Sequence, residues 1–329
     1  MISKILVSLA TSATIYLAIA VGMILSQRPI ELPDRAGLDF TNTLQRQFEV
    51  PDDPQFSHTS YQGDDGVSHP MTHVKSEVGP LIVIVHGSGW HGQQFDQLAW
   101  RLRDVAEVKA VTLRGHGADP VRRGDVDYIG QMEDDLAVLF RDAKEAGRKT
   151  VMLGHSSGGG LVVRFAGGTH GDLLDGAVLL SPYLKYNAPT MRENAGGWNH
   201  VLTRRIIGLS MLNNVGIKAL NKLQVVQFNM PKSVLDGSQG HYATLAYSHR
   251  LNQGFAPRAD YLKDIAALPS FVMIAGAQDE AFKAGEFEPL MSAVTQKGRY
   301  ELVPDIGHLD IVDAPQTETL IREFLSGLE

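Results

Sequence analysis

Apolar runs of strand length alternate with helical patterns along most of the 329 residues. One such run leads through Gly-His-Ser-Ser-Gly into a helix-forming segment, and residues 5–25 carry no charge. These observations predict an α/β fold, with a mostly parallel central sheet flanked by helices behind an N-terminal transmembrane helix. A helical cap inserted after the sixth strand completes the expected architecture. The divisions are 1–27 membrane anchor, 28–55 linker, 56–182 and 263–329 α/β core, and 183–262 cap.

Residues 5–25 are long enough as a helix to cross a hydrocarbon layer of ~30 Å. Lys4 precedes the stretch and Arg28-Pro29 follows it, which reads as an uncleaved anchor. A cleavable signal peptide is the alternative, because Ala18-Ile19-Ala20 resembles a small-residue cleavage site, although hydrophobicity continues through Leu25. Lys4 and the amino terminus form a positive excess ahead of the span, which predicts a cytoplasmic N-terminus and a domain outside the cytoplasm; Arg28 and Arg35 blunt that asymmetry. Residues 28–55 hold Pro29, Pro33, Pro51 and Pro54 among mixed charges and lack a sustained period. They are expected to lift the domain off the bilayer without contributing to a core.

Residues 56–75 suit a hairpin around Gly63-Asp64-Asp65-Gly66, and 80–85 are continuously apolar, as a strand buried on both faces requires. The next residues, His86-Gly87-Ser88-Gly89-Trp90-His91-Gly92, match G-x-G-x-x-G, so a dinucleotide-binding turn is one reading. A His-Gly turn that supplies an N–H to an oxyanion is the other. Phe95, Leu98, Ala99, Leu102 and Ala106 recur at helical spacing, 108–113 form a strand, and Ile129 to Ala143 mark a helix that ends at Gly147.

Val151-Met152-Leu153-Gly154-His155-Ser156-Ser157-Gly158 is then a strand, a sharp turn and a helix. This is the shape of a nucleophile elbow, with Ser156 at its tip and Gly154 and Gly158 as steric relief. A further strand covers 176–182. Residues 183–262 show helical patches without a convincing strand. Their apolar positions between Val201 and Ile217 suit acyl-chain binding, lipid contact or plain packing. Strands at 271–276 and 300–303 end at Asp279 and His308, and Leu320 to Leu328 fit an amphipathic helix.

Cysteine is absent, which excludes disulfides, thiolate metal sites and thiol catalysis. The net charge is −7 and no basic stripe appears, so nucleic acid is not an expected partner. A serine hydroxyl becomes a nucleophile when an imidazole takes its proton, and a carboxylate fixes that imidazole's tautomer. Ser156, Asp279 and His308 each follow a strand, in the chain order Ser, Asp, His. Singly, His308 suits a loop and Asp279 suits a helix cap.

Together with His86-Gly87-Ser88-Gly89, Arg114-Gly115-His116-Gly117 and Gly307-His308, these residues make the chain resemble the α/β-hydrolase superfamily over about residues 56–328. The Arg-Gly-His-Gly segment is similar to that of the monoacylglycerol lipase, lysophospholipase and serine aminopeptidase group. That group usually carries Asp two residues before the Arg and Ser two after the second Gly, where this chain has Thr112 and Asp119. The resemblance implies a membrane-anchored serine hydrolase that cleaves a carboxylic ester, such as a lysophospholipid or monoacylglycerol, through an acyl-enzyme. Ser156 would attack, His308 shuttle protons and Asp279 orient His308, with the N–H groups of Ser157 and Ser88 as oxyanion donors. Gly89 is the other candidate for the second donor. It implies no metal or organic cofactor. His116 and His155 read as structural, while His241 and His249 lie in the cap within possible reach of substrate. Amide, peptide or C–C bond hydrolysis on the same triad, or a non-catalytic binding module, are the alternative functions.

Overall fold

The computed structural model describes residues 2–33, 37–45, 48–192, 195 and 197–328, with backbone alone at 44 and 45. Residues 34–36 and 46–47 of the expected linker, Arg35 among them, and 193, 194 and 196 of the expected cap lie outside the described residues.

A 24-residue helix, α1 (Ile2–Leu25), opens the chain, followed by the short α2 (Thr41–Gln45). The hairpin β1 (Phe56–Gln62) and β2 (Ser68–Val74) leads into β3 (Leu81–Val85), α3 (Asp96–Arg101), β4 (Glu107–Val111), α4 (Gln131–Glu145), β5 (Thr150–His155), α5 (Ser157–Ala166) and β6 (Gly176–Leu180). Residues 183–262 hold β7 (Asn199–Val201), α6 (Thr203–Asn214), β8 (Gln224–Phe228), α7 (Lys232–Leu235), β9 (Ala246–Ser248) and α8 (His249–Phe255), and α9 (Tyr261–Ala267) leads out of them. The chain closes with β10 (Ser270–Gly276), α10 (Phe287–Ser292), β11 (Gly298–Val303) and α11 (Pro315–Ser326).

Eight strands form the main sheet in the order β1-β2-β4-β3-β5-β6-β10-β11. β1 pairs antiparallel with β2, and β2 with β4; every later pairing is parallel. The apolar run of β3 follows from this topology. Leu81, Val83 and Val85 pack with Met152 and Phe165 on one face, while Ile82 and Ile84 pack with Leu98 and Val151 on the other. The carboxyl ends of β3, β5 and β10 therefore open on the same edge, where the ligands of such sheets gather.

Three sequence expectations need correction. The helix after β3 is interrupted: a 3₁₀ turn over Gly92–Phe95 precedes α3, which ends at Arg101. The cap is not purely helical, because β7, β8 and β9 form an antiparallel three-stranded sheet beneath its helices. Strands of three to five residues are too short to establish a period of two. Finally, the segment after α1 is no bare spacer. Leu38 and Phe40 are buried, with the Phe40 ring 6.1 Å from that of Trp90 and 5.7 Å from that of Trp198.

Nor is the domain held away from α1. Ala20 and Ile24 are buried against Leu209, Leu212 and Val225, and the Tyr16 hydroxyl donates to the Met211 carbonyl at 3.1 Å. Gly208 permits this approach, since a Cβ there would lie 2.5 Å from the Ala20 carbonyl oxygen.

Candidate active site

Ser156 lies between β5 and α5 with φ 55° and ψ −120°, a conformation that L-residues rarely adopt. Its surroundings hold it there. The Ser156 N–H donates to the Leu180 carbonyl at 2.9 Å, and its own carbonyl accepts the Tyr183 N–H at 2.8 Å. Glycine is obligatory on both sides: a Cβ on Gly154 would come within 2.3 Å of the Gly158 oxygen, and one on Gly158 within 2.5 Å of the Val85 oxygen. Strand and helix thus close tightly and leave the serine at the tip.

Asp279 and His308, after β10 and β11, form a buried pair with His308 Nδ1 2.9 Å from Asp279 Oδ2. The second carboxylate oxygen of Asp279 accepts the N–H groups of Ala281 (2.8 Å) and Phe282 (2.7 Å). Asp279 thus caps no helix, since the next helical turn, Ala284–Glu286, has Lys283 as its N-cap; its second oxygen instead holds the loop that follows β10. Burial opposes charge on both groups. Their mutual attraction and the hydrogen bonds outweigh it, so His308 is held above the ordinary imidazole value and Asp279 below the ordinary carboxylate value. Two further contacts hold the His308 backbone. His155 Nε2–H donates to the His308 carbonyl at 2.9 Å, and Glu280 Oε2 accepts the His308 N–H at 2.9 Å.

Ser156, His308, His155, Gly87 and Ser88 line one cavity. Its remaining wall is mainly apolar: Leu38 and Phe40 from the segment after α1, Trp90, Trp198 and Met230 of the cap, and Leu309. Sequence reasoning missed the first two, which are isolated apolar residues in an aperiodic stretch. His241 and His249 do not line the cavity.

Of the two candidates for the second oxyanion donor, Gly89 is occupied. Its N–H donates to the Tyr247 hydroxyl at 2.6 Å, which in turn donates to His116 Nε2 at 2.6 Å. His116 is neutral in this role, with burial pushing its pKa down to about 4, and its Nδ1–H donates to the Arg114 carbonyl at 3.0 Å. Ser88 and Ser157 face each other, their hydroxyl oxygens 2.6 Å apart. As the first residue of α5, Ser157 has an N–H with no carbonyl one turn behind it.

A strained serine between strand and helix, with a buried His-Asp pair on neighbouring strand ends, defines an α/β-hydrolase. The profile of the serine aminopeptidase S33 family matches residues 76–313, and the chain belongs to that family. Among solved structures, the fold is similar to that of a monoglyceride lipase from Saccharomyces cerevisiae, at 16% identity and TM-score 0.63 over 86% of this chain and 97% of that one. It is also similar to an esterase from Thermogutta terrifontis, at 21% identity and TM-score 0.56 over 83% and 99%. A membrane phospholipase A, a bacterial virulence factor, matches over 99% of this chain and 98% of its own, at 17% identity and TM-score 0.59. At these identities the likeness is one of fold. The dinucleotide reading of Gly87 to Gly92 gives way to the family assignment.

Proposed function

We propose that this hydrolase is a membrane-anchored serine esterase that cleaves the acyl ester of a lipid, a lysophospholipid or monoacylglycerol. The apolar wall around Ser156 and His308 carries the reading, because its aromatic and aliphatic side chains suit an acyl chain and two of them belong to the segment directly after α1. Ser156 attacks the ester carbonyl as His308 takes the hydroxyl proton, and the N–H groups of Ser157 and Ser88 receive the oxyanion. His308 then protonates the departing alcohol. A water molecule, deprotonated by the same imidazole, releases the acid, while Asp279 holds Nδ1–H throughout. None of these steps calls on a metal or organic cofactor.

The family's description as serine aminopeptidase favours an amide substrate instead. Against that reading, no carboxylate is among the described residues lining the cavity, so nothing there is built to receive a substrate's free amino terminus.

Retention of α1 as an anchor, rather than its removal as a signal peptide, is supported by the burial of Ala20 and Ile24 and by the Tyr16–Met211 hydrogen bond. Cleavage after Ala20 would strip that contact from the cap. In this reading the N-terminus is cytoplasmic and the domain lies outside the cytoplasm. A fluorophosphonate probe tests the chemistry: the full-length protein should be labelled and Ser156→Ala, folded, should not be. A panel of esters and aminoacyl amides tests the substrate class, and turnover confined to the amides would reject the ester reading.

A further inference from the structure

α6 and α1 run antiparallel. Arg205 at the start of α6 donates to the carbonyls of Ile24 and Gln27, Gly208 lies against Ala20, and Met211 meets Tyr16. Residues 16–25 of α1, about 15 Å at 1.5 Å per residue, are therefore flanked by the cap. The part that extends beyond this contact, residues 2–15, is about 21 Å long, short of a hydrocarbon core of ~30 Å. If α1 spans the bilayer, roughly the last 10 Å of the crossing lie beside α6.

From this we infer that the carboxyl end of α6 and the loop over residues 215–220 enter the near leaflet beside α1, making the cap a second membrane-embedded element. The inference rests on the anchor reading above. The surface has the composition that such a position demands. Val215, Ile217 and Leu220 are exposed on it, 36–53% accessible. Lys218 and Lys222 are exposed beside them, suited to reach back to lipid headgroups. Two of the nearby amides are satisfied internally, Asn213 and Asn221 hydrogen-bonding each other in both directions at 2.7 and 2.8 Å and Asn213 also donating to the Leu209 carbonyl, while Asn214 is exposed. Charge agrees as well. Residues 194–235 contain no Asp or Glu in a chain that has 37 of them, while Arg204, Lys218, Lys222 and Lys232 remain, complementary to anionic headgroups.

The chain has no cysteine, so single introduced thiols report unambiguously. Full-length protein carrying Leu9→Cys, Val215→Cys or Val121→Cys would be labelled with an environment-sensitive fluorophore and reconstituted into phosphatidylcholine–phosphatidylglycerol vesicles containing spin-labelled lipid. Val121 is 83% exposed and serves as the aqueous reference. The expected result is lipid quenching at both Leu9 and Val215, about twofold or more above the reference. Quenching at Leu9 without quenching at Val215 overturns the inference and leaves the anchor intact. Absence of quenching at Leu9 overturns the anchor reading and this inference with it. A Val215 label that is shielded from water yet unaffected by spin-labelled lipid would mean that a second copy covers the surface, and it too overturns the inference.

Discussion

Glu280 holds the backbone N–H of His308 at 2.9 Å through one carboxylate oxygen, and with the other it receives the N–H of Asp39 at 3.0 Å. One side chain thereby ties the histidine loop to the segment that follows α1. Removing an acceptor of this kind costs about 1–2 kcal/mol. Glu280→Ala is expected to lower kcat/KM by roughly tenfold, whereas Glu280→Gln, which keeps one acceptor oxygen for the His308 N–H and gives up the bond to Asp39, should lose less. Esterase kinetics with a single ester check this, and equal loss in both variants would argue against positioning through the N–H bond.

The pH profile follows from the Asp279–His308 pair. In the proposed mechanism His308 acts as a base only when neutral, and burial of its ring is outweighed by Asp279 with a contribution from Glu280, so its pKa lies above 6.5. Activity should therefore fall as the pH drops through that raised value. Asp279→Asn removes the attraction and leaves burial dominant, so the acidic limb should move down in pH while kcat falls by orders of magnitude, ~10³ or more. kcat/KM against pH for both proteins checks the direction. The pair also affects stability: a folded-state pKa raised above the unfolded one contributes fully below pH 6.5, and the contribution is lost as pH rises through the folded value.

Phe40 supplies part of the acyl-chain wall in the proposed reading. Each methylene buried in the transition state adds up to ~0.8 kcal/mol, or roughly fourfold in kcat/KM. Phe40→Ala is expected to flatten the dependence of kcat/KM on ester chain length and to affect acetate least. A parallel loss across all chain lengths would assign Phe40 a purely structural role.

Gly208 sets the distance between α1 and α6. Gly208→Val forces a side chain against the Ala20 carbonyl and the Ile24 side chain, with an overpacking cost of about 1–3 kcal/mol. Thermal unfolding of the detergent-solubilised full-length protein should shift to lower temperature. Unchanged unfolding would mean that the helix contact carries little of the stability.

The parts of this molecule that were legible in the sequence are those dictated by local chemistry. The apolar run of β3, the glycines flanking Ser156, and the strand ends before Asp279 and His308 are all consequences of backbone packing within a few residues. Leu38 and Phe40 escaped because nothing periodic surrounds them; their burial depends on Trp90 and Trp198, which are remote in sequence. Glu280 was visible only as a neighbour of Asp279, since its role arises where Asp39 and His308 converge in space. What distinguishes Gly89 from Ser88 is Tyr247, remote in sequence, whose hydroxyl accepts the Gly89 N–H. The strands β7 and β9, three residues each, carry too little pattern to be told from loop.

If α1 anchors the protein as proposed, the burial of Leu38 and Phe40 changes what release of the domain would mean. A protease that cuts at 26–33 sheds a domain that keeps Leu38 and Phe40 in the cavity wall. One that cuts at 48–54 frees a domain whose main sheet is whole, from β1 to β11, but whose pocket stands open on one side. About twenty residues of chain thus separate a cut that leaves the cavity wall whole from one that removes two of its side chains.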